Sequence, residues 1–110
     1  MHENPEEQRR LLIEEIRVRL EAGDMDALFA FVEPLHPSDM ADVLEHVEEA
    51  ERMALLELIP AALASDALAE MEEEEKPGEL LASMEPERIA EIVEELADDD
   101  AADLIGELDP

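Results

Sequence analysis

Residues Leu35–Val47 return, 49 positions further on, as Met84–Leu96. The register holds without a gap from Leu35–Ile59 onto Met84–Leu108. Identity is confined to Pro37/Pro86, Ala41/Ala90, Glu45/Glu94 and Leu55/Leu104. The apolar pattern carries more: Met40/Ile89, Val43/Ile92, Leu44/Val93, Val47/Leu96, Leu56/Ile105 and Ile59/Leu108 all coincide. One helix shares such a pattern with another by chance, because both obey the 3.6-residue period. A match running through two helices and the turn between them is harder to obtain. It reads as a repeated helix pair of the kind that stacks in α-solenoids. The expected fold is all-α, a solenoid of short antiparallel helix pairs of the armadillo or HEAT kind.

The remaining punctuation agrees. A disordered start is expected at residues 1–5, and a helical domain over 6–110. Leu12, Ile16 and Leu20 share one face of a first helix from about Pro5 to Ala22, which Gly23 ends. Asp24 is placed to cap a second, from Met25 to about Val32, that buries Leu28 with Phe29 or Phe31. Pro34 and Pro37 bracket a turn, and Pro37 suits the first position of a third helix, where its missing N–H costs nothing. A fourth is expected from Glu49 to Ile59. Pro60 stops it and starts a fifth, with Leu63, Ala64, Ala67, Leu68 and Met71 inward. Glu72–Gly78 reads as the least orderly segment. Pro77 opens a short sixth helix and Pro86 a seventh, and Asp98 or Asp99 caps an eighth ending near Leu108. Nothing alternates with period two, so no sheet is expected. Asp109-Pro110 reads as the opening of a further helix, as if the chain were cut from a longer protein.

Such a core must be aliphatic, because Phe29 and Phe31 are the only aromatic residues and cysteine is absent. Disulfides and thiolate metal sites are thereby excluded. No run approaches the roughly 20 apolar residues of a membrane span. A soluble chain is expected, which still allows it to be the soluble part of a membrane protein. Charge is the dominant chemical fact: 34 acidic residues face 7 basic ones, a net of −27. Residues 1–20 are nearly balanced, with Arg9, Arg10, Arg17 and Arg19 against five glutamates. Residues 21–110 hold only Arg52, Lys76 and Arg88 against 29 acids. That surface repels nucleic acid and anionic lipid and attracts cations or basic proteins. A solvated, salt-adapted surface and a polyanionic sensor of divalent cations both account for it. The four N-terminal arginines are read as a solvated face, or as docked on the acidic remainder or a second subunit.

No catalytic constellation is visible, and no enzyme is expected. His2, His36 and His46 lack metal-ligand spacing; His36 reads as a turn residue and His46 as a surface helix position. The glycines are isolated, so no phosphate loop exists. Carboxylates are the one abundant resource. Asp99 and Asp103 lie four apart on one helix face, where like charges repel by a few tenths of a kcal/mol. A divalent ion would reverse that. Magnesium keeps several waters and takes only one or two protein carboxylates, so no dense motif is required.

Leu35-His36-Pro37-Ser38-Asp39-Met40-Ala41-Asp42-Val43-Leu44-Glu45, Leu56-Glu57-Leu58-Ile59-Pro60, Glu85–Leu96 and Asp98–Leu108 together resemble the cytosolic N-terminal domain of MgtE-type magnesium transporters. The likeness spans about residues 10–110. It implies a right-handed superhelical domain preceding CBS domains and a membrane channel in the same polypeptide, on the cytoplasmic side of the cell membrane. Weakly bound Mg2+, shared with those partner domains, would dock it on the CBS pair and favour a closed pore. The family's acidic ligands fall, by position, at Asp66, Asp99 and Asp103. A homodimer of the full-length protein is implied, with no nucleic acid and no direct lipid contact. The alternative is an acidic helical interaction scaffold, an adaptor or a relative of the flagellar motor switch protein, without ion sensing. CBS domains and apolar 20-mers downstream in the gene would separate the two.

Overall fold

Proline stands at the first position of four helices, and that placement sets much of the architecture. The computed structural model describes residues 4–107. Eight helices follow one another: α1 (Pro5–Ala22), α2 (Met25–Val32), α3 (Pro37–His46), α4 (Glu49–Leu58), α5 (Ala61–Glu70), α6 (Pro77–Ala82), α7 (Pro86–Glu95) and α8 (Asp98–Gly106). A single 3-10 turn, Glu73–Glu75, joins α5 to α6. There is no strand among the described residues, and none of their helices is long and apolar enough to cross a membrane. Of the expected disordered start, residues 1–3 lie outside the described ones; Asn4 caps α1 and Pro5 is its first residue.

Short polar side chains close the helix starts. Asn4 Oδ1 accepts from the Glu6 amide at 2.8 Å, and Asp24 Oδ1 from the Ala27 amide at 3.1 Å. His36 Nδ1 accepts from the Ser38 amide at 3.1 Å, so this turn histidine is itself a cap. Each bond satisfies an amide that the helix cannot. Gly23 ends α1 with φ +74°, a left-handed conformation that side chains penalise.

Two boundaries differ from expectation. Neither Asp98 nor Asp99 caps α8: the extended Ala97 does, without a side-chain bond, and the aspartates begin the first turn. There they favour the positive end of the helix dipole. The segment Glu72–Gly78 is also more ordered than its composition suggests. Lys76 takes a left-handed conformation with φ 53°, and Pro77 and Gly78 are buried beyond it.

The repeat survives in space. The limits of α3 and α7 differ by 49 residues at both ends, and α8 starts 49 residues after α4. Helices α1, α3, α5 and α7 pack in succession, each on the one before, while α2 packs on α1 and α6 on α8. Ile16, Leu28, Met40, Leu44, Leu56, Leu68 and Ile92 are sealed in one continuous aliphatic core. Each contributes about 1.5–3 kcal/mol by leaving water. The two copies are nevertheless unequally covered. Leu56 is 0% exposed, whereas its counterpart Ile105 is 51% exposed.

Arginines tie the layers. Arg52 Nε donates to the Leu44 carbonyl at 2.6 Å, closing the C-terminal end of α3. Arg88 Nη2, from α7, donates to the Leu56 carbonyl at 2.9 Å and to the Ile59 carbonyl, closing α4. At the other end, Arg17 grips Glu51 with Nε and Nη2 at 3.0–3.2 Å. Arg9 lies 3.7 Å from Asp42, and Arg19 pairs with Glu15 while stacking 4.4 Å above the Phe31 ring. Of the readings for the N-terminal arginines, docking on the acidic remainder therefore holds for Arg9 and Arg17.

Candidate functional site

The inward use of arginine leaves the acids of the C-terminal half largely uncompensated. Beyond residue 20, Arg52 and Arg88 are mostly covered, with side chains 17% and 16% exposed, and both serve helix ends. Lys76 is the one basic residue of that stretch that stands exposed. The carboxylates around it consequently feel each other. Glu74 is the principal cause that pushes the Glu72 carboxyl above the usual carboxylate range, with Glu45 second. The contrast is Glu51, whose carboxyl is held below that range chiefly by the hydrogen bond from Arg17.

Three aspartates were singled out by sequence. Asp66 is exposed on α5, between the buried Ser65 and Ala67. Asp99 and Asp103 are exposed one turn apart on α8. Asp103 lies on the wall of a groove of about 180 Å³ between α5, the 3-10 turn and α8. Asp100, Glu73 and Glu107 share that wall with Leu68 and Met71. A neighbouring hollow of about 420 Å³ is lined by Glu73, Lys76, Glu79, Asp103 and Glu107. Asp66 and Asp99 line neither. The fold thus brings Asp103 together with Glu73 and Glu107, two residues that sequence reasoning missed. Glu73 sat in the run read as disorderly, and only tertiary structure places it opposite α8.

Glu107 has a second duty. Its Oε2 accepts from the Gly78 amide at 2.7 Å, which pins α6 to the end of α8. Gly78 is required there: a Cβ would stand 2.3 Å from the Leu104 carbonyl oxygen and 2.6 Å from Glu107 Oε2. The spacing of α6 and α8 is accordingly fixed by backbone contact.

Oxygen-rich walls suit hard cations, which bind carboxylates and keep water. Among the described residues, the group of three whose ligand atoms all fall within 4.8 Å is a different one: Asp42, Glu45 and His46. Its members are already engaged. Asp42 faces Arg9, Glu45 Oε2 accepts from the Glu72 amide at 3.0 Å, and His46 Nδ1 lies 2.7 Å from the Asp42 carbonyl. Among the described residues, the groove's four carboxylates make no ion pair, although Lys76 lines the neighbouring hollow with Glu73, Asp103 and Glu107.

A family model described as the MgtE intracellular N domain matches residues 35–110, from the last residue before the α3 cap to the end of the chain. No curated protein and no solved structure matches the chain.

Proposed function

The chain belongs to the MgtE intracellular N domain family, and on that premise we propose that it is the cytosolic regulatory domain of a magnesium transporter. Its helix pairs form a right-handed superhelix that docks on CBS domains of the same polypeptide. Magnesium sensed by Asp66, Asp99 and Asp103 governs the docking and favours a closed pore. The observation that supports this reading, for Asp103 alone of the three, is the groove in which it joins Glu73, Asp100 and Glu107. The donor set fits the ion: all are hard carboxylate oxygens, exposed enough to leave magnesium most of its waters. When bound, the ion supplies positive charge to an acidic cluster that has Lys76 as its one basic neighbour among the described residues.

The chain's own contribution is electrostatic. With a net charge of −27, it repels any acidic partner until cations neutralise the face between them. A cation held between two domains stabilises the docked state by its differential affinity for that state. Asp99 and Asp103 repel each other without an ion and share it with one, so this pair converts ion occupancy into docking energy.

Thermal unfolding in MgCl2 and in NaCl at matched ionic strength tests the proposal. Screening depends on ionic strength and makes the two salts alike. Site binding adds a saturable stabilisation by magnesium. The expected result is a magnesium advantage that disappears in the double variant Asp99→Asn, Asp103→Asn. Equal behaviour of the two salts would overturn sensing by this domain and favour the scaffold reading.

A further inference from the structure

The three bases beyond residue 20 have different fates. Arg52 and Arg88 are mostly covered and turned onto the last carbonyls of α3 and α4. Lys76 stands exposed and borders two acidic hollows. One, of about 420 Å³, it shares with Glu73, Glu79, Asp103 and Glu107. The other, of about 410 Å³, it shares with Glu49, Arg52, Glu74, Glu75 and Glu79. The backbone at its root is fixed. Its amide donates to the Glu73 carbonyl at 3.0 Å, and its carbonyl accepts from the Glu79 and Leu80 amides at 3.1 and 3.3 Å. Pro77 and Gly78, next in the chain, are buried. Among the described residues Lys76 is also the one non-glycine residue with a positive φ, 53°, a conformation in which glycine or asparagine carries less strain. The far end of the side chain is uncommitted: among the described residues Lys76 forms no ion pair.

We propose that Lys76 is a tethered counter-ion of the acidic groove, which competes with the divalent cation and so sets the concentration at which that ion binds. This rests on the ion-sensing reading above and adds to it a residue that opposes the ion rather than holding it. The lysine ammonium is a compact point charge on a flexible four-carbon stem, and while protonated it cannot ligate a metal. Without a metal ion it relieves the mutual repulsion of Glu73, Asp103 and Glu107. An incoming divalent ion is repelled by it with twice the energy that a monovalent ion meets. Binding therefore requires the ammonium to leave the field of these carboxylates, and the fixed backbone limits that movement to the side chain. Because no single carboxylate holds it, the departure breaks no defined ion pair, and the competition is graded rather than blocking. The effect is local, since exposed charges more than about 8 Å away are largely screened at physiological ionic strength.

Thermal melts titrated with MgCl2 at constant ionic strength give an apparent Kd for magnesium. Lys76→Gln removes the charge while keeping a long polar side chain and the same backbone strain. It should bind magnesium about two- to tenfold more tightly than the parent, the order expected of one exposed charge interaction. Lys76→Arg keeps the charge and should stay close to the parent. Arg10→Gln removes the same unit of charge from an exposed position on α1 that lines neither hollow, and should leave the affinity unchanged. Circular dichroism verifies that all three variants fold. An affinity in Lys76→Gln equal to or weaker than the parent's would overturn the role of Lys76 and leave ion sensing standing. So would an equal gain in Arg10→Gln, since net charge alone would then account for both. No saturable response to magnesium in either the parent or Lys76→Gln would overturn the ion-sensing reading, and this inference with it.

Discussion

Replacing Gly78 by alanine sets helix propensity against packing. Alanine is favoured over glycine within helices by up to about 1 kcal/mol. Gly78 is the second residue of α6, so propensity alone predicts a slight gain. Packing predicts a loss. The new Cβ would stand 2.3 Å from the Leu104 carbonyl oxygen, well inside any tolerable contact. That oxygen belongs to the backbone of α8 and moves only if the helix moves. Glu107 can rotate away, but it then gives up its 2.7 Å bond from the Gly78 amide. Overpacking of this kind costs about 1–3 kcal/mol. The difference is a net loss of roughly 1–2 kcal/mol, or about 5–10 °C in Tm for a domain of this size. Gly106→Ala is the matched control, since a Cβ there meets nothing within 4 Å. Thermal and urea unfolding of both variants decide the matter. A Gly78→Ala variant as stable as the parent, or more so, would mean that α6 and α8 do not meet as described.

The repeat copies make a second comparison. Leu56→Ala should cost about 2–5 kcal/mol, and Ile105→Ala less than about 1 kcal/mol, measured by urea midpoints; equal losses would contradict the unequal covering of Leu56 and Ile105. Arg88→Met should lose about 1.5–3 kcal/mol by removing the charged donor from the Leu56 and Ile59 carbonyls, against under about 0.5 kcal/mol for an ordinary surface change. The two shifted glutamates should respond to pH with opposite signs. Glu51 has its carboxyl held low by Arg17, so its stabilisation exists above the ordinary carboxylate pKa and is lost as pH falls through the folded value; Glu51→Gln should be less stable at neutral pH, with the gap closing in acid. Glu72 has its carboxyl pushed up by Glu74, so stability falls as pH rises through its folded value; Glu72→Gln should be more stable at neutral pH, and that gain should vanish below the ordinary carboxylate range.

Local signals made most helix limits legible. Pro37 and Pro86 fix backbone geometry wherever they stand, and the 49-residue shift between them reappears in the ends of α3 and α7. Gly23 and Asp24 likewise act within three residues of themselves. The start of α8 misled because Asp98 and Asp99 both look like caps, and only the extended backbone of Ala97 decides which position is outside the helix. The groove was less legible for a different reason. Asp103 was visible as half of an i, i+4 pair, but Glu73 comes from the far side of α6 and contributes through tertiary packing. Arg52 and Arg88 looked like scarce surface cations. Their destination, carbonyls 8 and 29–32 residues away, follows from how α4 ends against its neighbours, which periodicity does not encode.

Arg88 also bears on how the chain comes apart. In a repeat array stability is the sum of each unit's own term and its interfaces with its neighbours, so cooperativity between units depends on those interfaces. Here α4, which belongs to the first copy, is terminated by a side chain from the second. Fraying of α7 would uncover the last carbonyls of α4, and with them Leu56 and Ile59 at the centre of the core. The two copies are therefore coupled into one cooperative unit, so a fragment ending before α7 should lack an independent transition, and hydrogen exchange should report similar opening energies for α4 and α7.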